Sequence, residues 1–208
     1  MNERRAVIID AGVGNLGNLS RALEIAGARP SITRDPQEVA AAHCLLLPGV
    51  GAFRPPREAL RGGLEEGLRS ALGGGAWLLG ICVGYQLLFE EGDEFGITDG
   101  LGLLPGSVEL LPDSVPLPHI GWNRLLRTRE HPLLAGLSEA YFYFVHSFAP
   151  REVPAQATLA TALHGRPFSA VAARGRVLGT QFHPEKSGRC GLRLLRNFLE
   201  IAHEPRAS

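Results

Sequence analysis

The sequence has no net charge and almost no lysine. Lysine and arginine together number 21, aspartate and glutamate also number 21, and Lys186 is the only lysine among 208 residues. A balanced charge provides no basic surface of the kind that binds nucleic acid or an anionic membrane. We therefore expect no nucleic acid and no membrane as partner, and instead a neutral small substrate or a protein partner.

Cysteine is also scarce, with three residues at positions 44, 82 and 190. An odd number without regular spacing fits neither a disulfide framework nor a zinc site. The seven histidines are scattered and form no H-x-x-E-H motif. The sequence therefore predicts no metal and no cofactor.

Long hydrophobic runs are missing as well. The first apolar run, residues 6–9, is broken by Asp10 and is too short for a signal peptide or a membrane span. This predicts a cytoplasmic protein. The length favours one domain, residues 1–208, or one domain with an appended lobe.

Cys82 lies where an apolar run meets an amphipathic segment. Residues 77–81 predict a buried parallel strand, and residues 85–91 predict a helix. Gly80 and Gly84 flank the joint, which is the arrangement of a nucleophile elbow, and we expect them to let the backbone turn sharply and leave room for a substrate. The start of a helix favours thiolate over thiol. The alternative is an unreactive cysteine that fills space.

The order of predicted elements indicates an α/β fold. Strands alternate with helices in the first half, which predicts a mostly parallel sheet, and strands follow one another in the second half, which predicts an antiparallel extension or a partly separate layer. The predicted strands are 5–10, 30–34, 43–47, 77–81, 108–111, 120–126, 141–145, 158–163, 169–173 and 176–182; the predicted helices end near residue 27 or cover 55–72, 85–91 and 191–203; and residues 91–106 are predicted to loop over the site.

Two glycine-rich loops follow predicted strands. Residues 12–17 spell G-x-G-x-x-G, and Asp35 lies downstream at a distance that suits a ribose contact, so a dinucleotide site is one interpretation. A tight turn with a polar role for Asn15 is the favoured one, because the next strand ends in Arg-Asp-Pro. In the second loop, residues 48–51, two nearby glycines allow backbone N–H groups to point into a site and serve as oxyanion donors, and an ordinary turn is the alternative.

His183 and Glu185 flank a proline near the end of the chain. Pro184 favours an extended conformation at His183, and in extended chain residues two apart project to the same side. A thiol, a histidine base and a carboxylate that orients the histidine are the parts of a cysteine-type triad. The pattern therefore predicts that Cys82, His183 and Glu185 act together.

Several motifs resemble one known family. The sequences GICVGYQLLFE (80–90) and QFHPEKS (181–187) resemble the class I, or triad, glutamine amidotransferases. Within that class, PGVGAF (48–53), PHIGWN (118–123) and YFVHSF (143–148) are similar to the glutaminase subunits of imidazole glycerol phosphate synthase. The resemblance spans nearly the whole chain in matching order.

The resemblance implies a flavodoxin-like fold and the hydrolysis of L-glutamine to glutamate and ammonia. It also implies a (β/α)8-barrel cyclase subunit as partner, which receives the ammonia during histidine biosynthesis. Cys82 would be the nucleophile, His183 the base and acid, and Glu185 the orienting carboxylate.

Further roles follow from the same resemblance. Two departures affect the shape of the glutamine pocket: Tyr85 stands where the family commonly has methionine, and Phe148 where it commonly has tyrosine. The alternatives are the glutaminase of another class I amidotransferase, or a catalytically idle interaction or nucleotide-binding subunit. The implied residues are Val83 with Val50 or Gly51 for the oxyanion; Gly51, Gln86, Glu94, Ser147 and Phe148 for glutamine; and Asn15, Trp122, Tyr143 and Lys186 for the subunit interface and the ammonia passage.

Overall fold

The structure is a computed structural model that describes residues 4–127 and 129–204. Its strands are β1 (Arg5–Ile9), β2 (Arg29–Thr33), β3 (Cys44–Gly49), β4 (Trp77–Cys82), β5 (Glu91–Asp93), β6 (Ile97–Asp99), β7 (Ser107–Leu110), β8 (His119–Arg124), β9 (Leu126–Arg127), β10 (Tyr141–His146), β11 (Phe148–Arg151), β12 (Thr158–His164), β13 (Arg166–Arg174) and β14 (Val177–Thr180). Its helices are α1 (Leu16–Ala26), α2 (Pro36–Ala40), α3 (Arg54–Leu60), α4 (Gly63–Gly73), α5 (Val83–Gln86) and α6 (Gly188–His203), with 3-10 helices at Pro132–Leu134 and Pro184–Lys186.

An eight-stranded sheet in the order β2-β1-β3-β4-β14-β13-β12-β9 forms the centre of the fold. The strands from β2 to β14 are parallel, and β13, β12 and β9 extend the sheet in antiparallel fashion. Strand β3 is buried along its whole length because helices cover both faces, and α1 packs on α6 while α2 packs on α4. The predicted α/β fold with an antiparallel extension is confirmed.

Two smaller sheets lie beside this centre. Strands β8 and β10 pair as an antiparallel ribbon, and β11, β7, β5 and β6 form a four-stranded sheet. Strands β5 and β6 fall within the predicted loop of residues 91–106, so that prediction was wrong in part. The hairpin is short and rich in glycine and acidic residues, which hides its strands from sequence patterns.

The helix predictions needed three corrections. The predicted helix 55–72 is two helices, because the chain breaks at Gly62, whose φ is 81°. Helix α2 was missed, although the Asp35 side chain caps it by accepting a 2.8 Å hydrogen bond from the Gln37 N–H. The predicted helix 85–91 ends after the single turn of α5, and the Leu87 carbonyl accepts a 2.8 Å bond from the N–H of Leu101. Tertiary hydrogen bonds thus replace helical ones there.

Candidate active site

Cys82 ends β4 at the carboxyl edge of the parallel sheet. Its neighbour across the ladder is Gly49, the last residue of β3, so the loop after β3 lies beside the cysteine. Cys82 is 2% exposed, and its backbone has φ 55° and ψ −113°. A positive φ is strained for a residue with a Cβ and is typical of residues that a site holds in place. The predicted strand-to-helix joint at Cys82 is confirmed.

The glycines around Cys82 act differently from what the sequence predicts. Neither Gly80 nor Gly84 has a positive φ, so the sharp turn is made by Cys82 itself. A Cβ on Gly84 would lie 1.8 Å from the Leu47 carbonyl oxygen, and one on Gly49 would lie 2.7 Å from the Gly84 nitrogen. The glycines therefore allow α5 to pack directly on the ends of β3 and β4.

His183 and Glu185 lie next to each other just after β14. The Nδ1 of His183 donates a 2.7 Å hydrogen bond to Oε1 of Glu185, and both side chains are at most 5% exposed. The backbone of His183 is extended, as Pro184 predicts, but Glu185 lies in the 3-10 helix Pro184–Lys186. A tight turn, not an extended strand, therefore brings the two side chains together.

The backbone around His183 is braced by β10. The N–H of His183 donates to the Tyr143 carbonyl over 3.0 Å, and the N–H of Tyr143 donates to Oγ of Ser187 over 3.0 Å. The Ser187 hydroxyl donates in turn to the His183 carbonyl over 2.6 Å. Ser187 is buried and was not singled out as a site residue, because its role depends on a strand far away in sequence.

The surroundings of His183 favour its charged form. Burial lowers the pKa of His183, but the neighbouring Cys82 thiol and the Glu185 carboxylate outweigh burial and raise this pKa to about 9. The Nε2 atom of His183 and Oε2 of Glu185 are buried without a hydrogen-bond partner. The ring therefore retains a polar atom that a substrate can engage.

A cavity of about 670 Å³ opens at Cys82 and His183. Glu185, Trp122 and Tyr143 do not line it, whereas Gly14, Pro118, Val145 and His146 do, although they were not predicted as site residues. Tyr85 does not line it either: its hydroxyl lies 3.2 Å from Oγ of Ser169 inside the core. The residues that were predicted and do line it are Asn15, Val50, Gly51, Cys82, Val83, Gln86, Glu94, Ser147, Phe148, His183 and Lys186.

Two predicted glutamine contacts also hold the walls of the cavity together. Oε2 of Glu94 accepts a 2.7 Å hydrogen bond from the N–H of Phe53, which joins the β5–β6 hairpin to the loop after β3. The Gln86 amide nitrogen donates to the Phe148 carbonyl over 2.8 Å and to Oε1 of Gln181 over 3.2 Å. The Gln181 amide nitrogen lies 4.0 Å from the sulfur of Cys82.

The backbone donors predicted for an oxyanion come from two adjacent segments. Val83 begins α5, where N–H groups have no partner within the helix. Val50 and Gly51 follow β3, and Gly51 has a φ of 83° with open space where a Cβ would stand. The loop and the helix start therefore approach the sulfur from two sides.

Asn15 begins α1 beside the same cavity. Its side-chain oxygen accepts a 3.2 Å hydrogen bond from the N–H of Asn18, and Gly12 and Gly14 both have positive φ. The glycine-rich segment is therefore the tight turn that was favoured. The Asp35 side chain, assigned to a ribose under the dinucleotide interpretation, caps α2 instead.

An apolar surface begins at the rim of the cavity. Trp122 on β8 faces Tyr143 on β10, with ring centroids 6.2 Å apart, and Nζ of Lys186 lies 5.9 Å from the Tyr143 ring. Trp122 is 57% exposed, and Ile120 and Tyr141 on this face of the β8–β10 ribbon are exposed as well. Such a contiguous apolar face on a ribbon is typical of a protein interface.

Neither a metal cluster nor a membrane span occurs in the described part of the chain. Over residues 4–127 and 129–204, no three histidine, cysteine, aspartate or glutamate side chains group in a way that suits a metal ion. None of the helices in these ranges has the length and apolar character needed to cross a bilayer.

Comparison with known proteins agrees with the geometry. Residues 7–202 match the family model described as glutamine amidotransferase class-I. The fold is similar to that of a solved glutamine amidotransferase, with a TM-score of 0.76 at 24% identity over 95% of this chain and 98% of the other. A chain in the solved structure of PurLQS from Thermotoga maritima is similar with a TM-score of 0.75 at 21% identity, over 97% and 99%.

Sequence similarity to individual proteins identifies the group within this family. The chain is 48% identical to the imidazole glycerol phosphate synthase subunit HisH of Symbiobacterium thermophilum, over 93% of this chain and 92% of that protein. It is 44% identical to HisH of Methanosarcina barkeri, over 95% and 99%, and 46% identical to HisH of Geobacillus kaustophilus, over 94% and 96%. The chain therefore belongs to the class-I glutamine amidotransferase family and, within it, to the HisH subunits of imidazole glycerol phosphate synthase.

Proposed function

We propose that this chain is the glutaminase subunit of imidazole glycerol phosphate synthase and hydrolyses L-glutamine to glutamate and ammonia. The observation that carries the proposal is the meeting of Cys82 with the His183–Glu185 pair at one cavity. We further propose that residues 1–208 act as one amidotransferase domain, and that the reaction takes place in the cytoplasm as a step of histidine biosynthesis.

The chemistry begins with the thiol of Cys82. Its sulfur attacks the side-chain amide carbon of glutamine as a thiolate, the thiol proton having passed to His183 beforehand. The N–H of Val83, together with that of Val50 or Gly51, binds the oxyanion of the tetrahedral intermediate. His183 then gives the proton to the leaving nitrogen, which departs as ammonia and leaves a thioester on Cys82.

Water completes the cycle. A water molecule attacks the thioester carbon, His183 takes a proton from it, and that proton returns to the sulfur as glutamate is released. Glu185 holds the ring so that Nε2 faces the reacting atoms. With its pKa raised to about 9, His183 holds a proton at neutral pH, so it is a ready acid for the departing ammonia.

The walls of the cavity supply the binding of glutamine. In this proposal the substrate lies among Gly51, Gln86, Glu94, Ser147 and Phe148, all of which line the cavity of Cys82. The carboxylate of Glu94 suits the α-amino group of glutamine, and backbone groups at Ser147 and Phe148 suit its polar ends. Phe148 lacks a hydroxyl, so its contribution is limited to its backbone and ring.

A cyclase subunit with a (β/α)8 barrel is the proposed partner. The apolar face of the β8–β10 ribbon lies beside the cavity, with Trp122 at its centre and Tyr143 and Lys186 towards the cavity. The ammonium group of Lys186 can pair with a carboxylate of the partner, and Asn15 lies at the same rim. Ammonia released at Cys82 would leave between these residues towards the barrel.

The test compares two nitrogen sources in the reconstituted complex. We expect Cys82→Ala to abolish cyclisation with glutamine, because the nucleophile is gone, while cyclisation with added ammonium salt continues. The wild-type subunit should release glutamate much faster with the cyclase subunit and its nucleotide ligand than alone. Loss of both activities in Cys82→Ala, or of neither, contradicts the proposal.

A further inference from the structure

Two buried histidines connect the apolar ribbon to the cavity. His119 on β8 and His146 on β10 are opposite each other in the ladder, and Nδ1 of His119 lies 3.1 Å from Nε2 of His146. Their exposed fractions are 5% and 7%. The proposed glutaminase chemistry uses neither ring, although His146 lines the cavity of Cys82.

The hydrogen-bond partners fix the position of each proton. Nδ1 of His146 lies 2.8 Å from the Phe148 carbonyl, which only accepts, so this nitrogen carries the proton and Nε2 accepts from His119. Nε2 of His119 then accepts from the Asn123 amide nitrogen over 3.3 Å. The chain of hydrogen bonds therefore runs in one direction, from Asn123 to Phe148.

The orientation of Asn123 is fixed independently. Its amide nitrogen donates to the Leu163 carbonyl of β12 over 2.9 Å, and its amide oxygen accepts from the N–H of Arg124 over 2.8 Å. Asn123 follows Trp122, whose ring lies on the exposed face of the ribbon. The first member of the chain is thus held by both the ribbon and the central sheet.

Both rings stay neutral at physiological pH, which keeps this direction intact. Burial lowers the pKa of His119 to about 4, helped by neighbouring His164. Burial also lowers the pKa of His146 to about 3, against the opposing effect of its hydrogen bond to the Phe148 carbonyl. Titration in the neutral range therefore leaves the chain of hydrogen bonds unchanged.

The chain ends at the wall of the proposed glutamine site. The Phe148 carbonyl accepts from His146 on one side and from the Gln86 amide on the other, both over 2.8 Å. Gln86 follows the turn of Cys82 and also bonds to Gln181, whose nitrogen lies 4.0 Å from the sulfur. A shift of His146 therefore moves the backbone that lines the cavity.

We propose that His119 and His146 are positioning residues of the glutaminase reaction, which transmit the position of β8 in the apolar ribbon to the Phe148 carbonyl and so to the glutamine site. This inference rests on the proposed function. Docking of a partner on the ribbon would then act on substrate binding through these two rings, without any contact between the partner and the cavity wall.

The test uses a matched pair of substitutions at His119, assayed in the complex with the cyclase subunit. His119→Leu removes the donor to His146, and we expect the KM for glutamine to rise about fivefold to tenfold, the equivalent of one lost hydrogen bond, with kcat changed less than about twofold. His119→Asn keeps an N–H near the Nδ1 position and should bring KM back to within about twofold of the wild type. Ammonia-dependent cyclisation reports that each complex is intact.

A second pair separates positioning from packing. His164 stacks on His119 with ring centroids 4.2 Å apart, but its own ring bonds to the Pro116 carbonyl, outside the chain. His164→Leu should therefore lower Tm as His119→Leu does and leave KM unchanged. His146→Asn keeps the donor to Phe148 but cuts the link to His119, so its KM should rise as in His119→Leu, and the stimulation of Cys82 labelling by the cyclase subunit should fall. The labelling probe is 6-diazo-5-oxo-L-norleucine, a diazoketone analogue of glutamine.

The outcomes distinguish the two proposals. An active wild-type complex in which His119→Leu and His164→Leu share the wild-type KM overturns the positioning role alone. Equal increases of KM in both leucine variants would also overturn it, because packing then explains the effect. If the wild-type complex releases no glutamate from glutamine, the proposed function fails and the positioning role fails with it.

Discussion

Cys44 and Cys82 belong to neighbouring parallel strands and are buried almost equally, at 1% and 2% exposed, yet they have different surroundings. Cys44 begins β3 opposite Trp77, and burial raises the pKa of its thiol to about 12. Cys82 ends β4 beside His183 and a cavity. Burial alone therefore does not determine the reactivity of a cysteine. Its position at the amino or the carboxyl end of a strand determines which groups lie beside it.

The difference between Cys82 and Cys44 should be largest in their rates of reaction with an electrophile. We expect 6-diazo-5-oxo-L-norleucine to modify Cys82 of the complex at least about a thousandfold faster than Cys44, because a thiol with a pKa near 12 is almost never a thiolate at neutral pH. Mass spectrometry of peptides after timed quenching measures both rates. Comparable modification of the two cysteines would remove the contrast.

Removing the charge of Glu185 should make Cys82 less reactive towards glutamine, and so closer in reactivity to Cys44. Glu185→Gln keeps the shape and loses the carboxylate that accepts from His183, so we expect glutamine-dependent kcat to fall by about a hundredfold or more. Ammonia-dependent cyclisation should be unaffected in the same preparation. A variant with full glutaminase activity would mean that Glu185 has no orienting role.

The His183–Glu185 pair also predicts how the free energy of unfolding depends on pH. The pKa of His183 is raised from 6.5 to about 9, so its contribution to the free energy of unfolding is fully present below about pH 6.5 and is lost as pH rises through about 9. In Glu185→Gln this loss should begin at lower pH. Urea unfolding at a series of pH values measures the difference, and coincident profiles would contradict the assigned interaction.

The close packing behind Cys82 can be tested with one added methyl group. Gly84→Ala places a Cβ 1.8 Å from the Leu47 carbonyl oxygen, and we expect a loss of about 3 kcal/mol or more in the free energy of unfolding. Gly73→Ala is the matched control, because it lies at the end of α4 with nothing within 4 Å and should change stability by less than about 1 kcal/mol. Similar losses in the two variants would show that the close packing of Gly84 on the Leu47 carbonyl contributes little to the free energy of unfolding.

The smallest effect is expected at Cys44. Cys44→Ala removes one buried sulfur and should lower the free energy of unfolding by about 1 kcal/mol, without changing the KM or kcat for glutamine. Urea unfolding and the glutaminase assay measure the two quantities. A loss of glutaminase activity in this variant would mean that the two strand ends are not independent.

Local patterns were enough to predict how the backbone places Cys82 and His183 in the candidate site. The strand before Cys82 and the extended backbone at His183 follow from hydrophobic runs and from Pro184, which act over a few residues. The alternation of strands and helices likewise predicted the parallel half of the sheet. These features depend on neighbours in sequence, so a single chain is sufficient to find them.

Features that depend on distant partners were missed. Helix α5 stops early because the carbonyl of Leu87 bonds to Leu101, and no pattern near residue 87 indicates this. The pairing of His119 with His146 depends on the register of β8 against β10, which the two separate motifs do not give. The positions of Cys82 and His183 in the candidate site were therefore easier to predict from sequence than the contacts that hold them.

The contact between Gly49 and Gly84 has a consequence for how this site is studied. The backbone of Gly49 packs directly against the backbone of Gly84 there. A movement of the loop after β3 would therefore displace the turn of Cys82 without any side chain between them. Scanning mutagenesis that truncates side chains has nothing to remove at such a point. Only substitutions that add atoms can reveal this contact, and mutagenesis limited to truncations would miss the place where the loop after β3 meets the turn of Cys82.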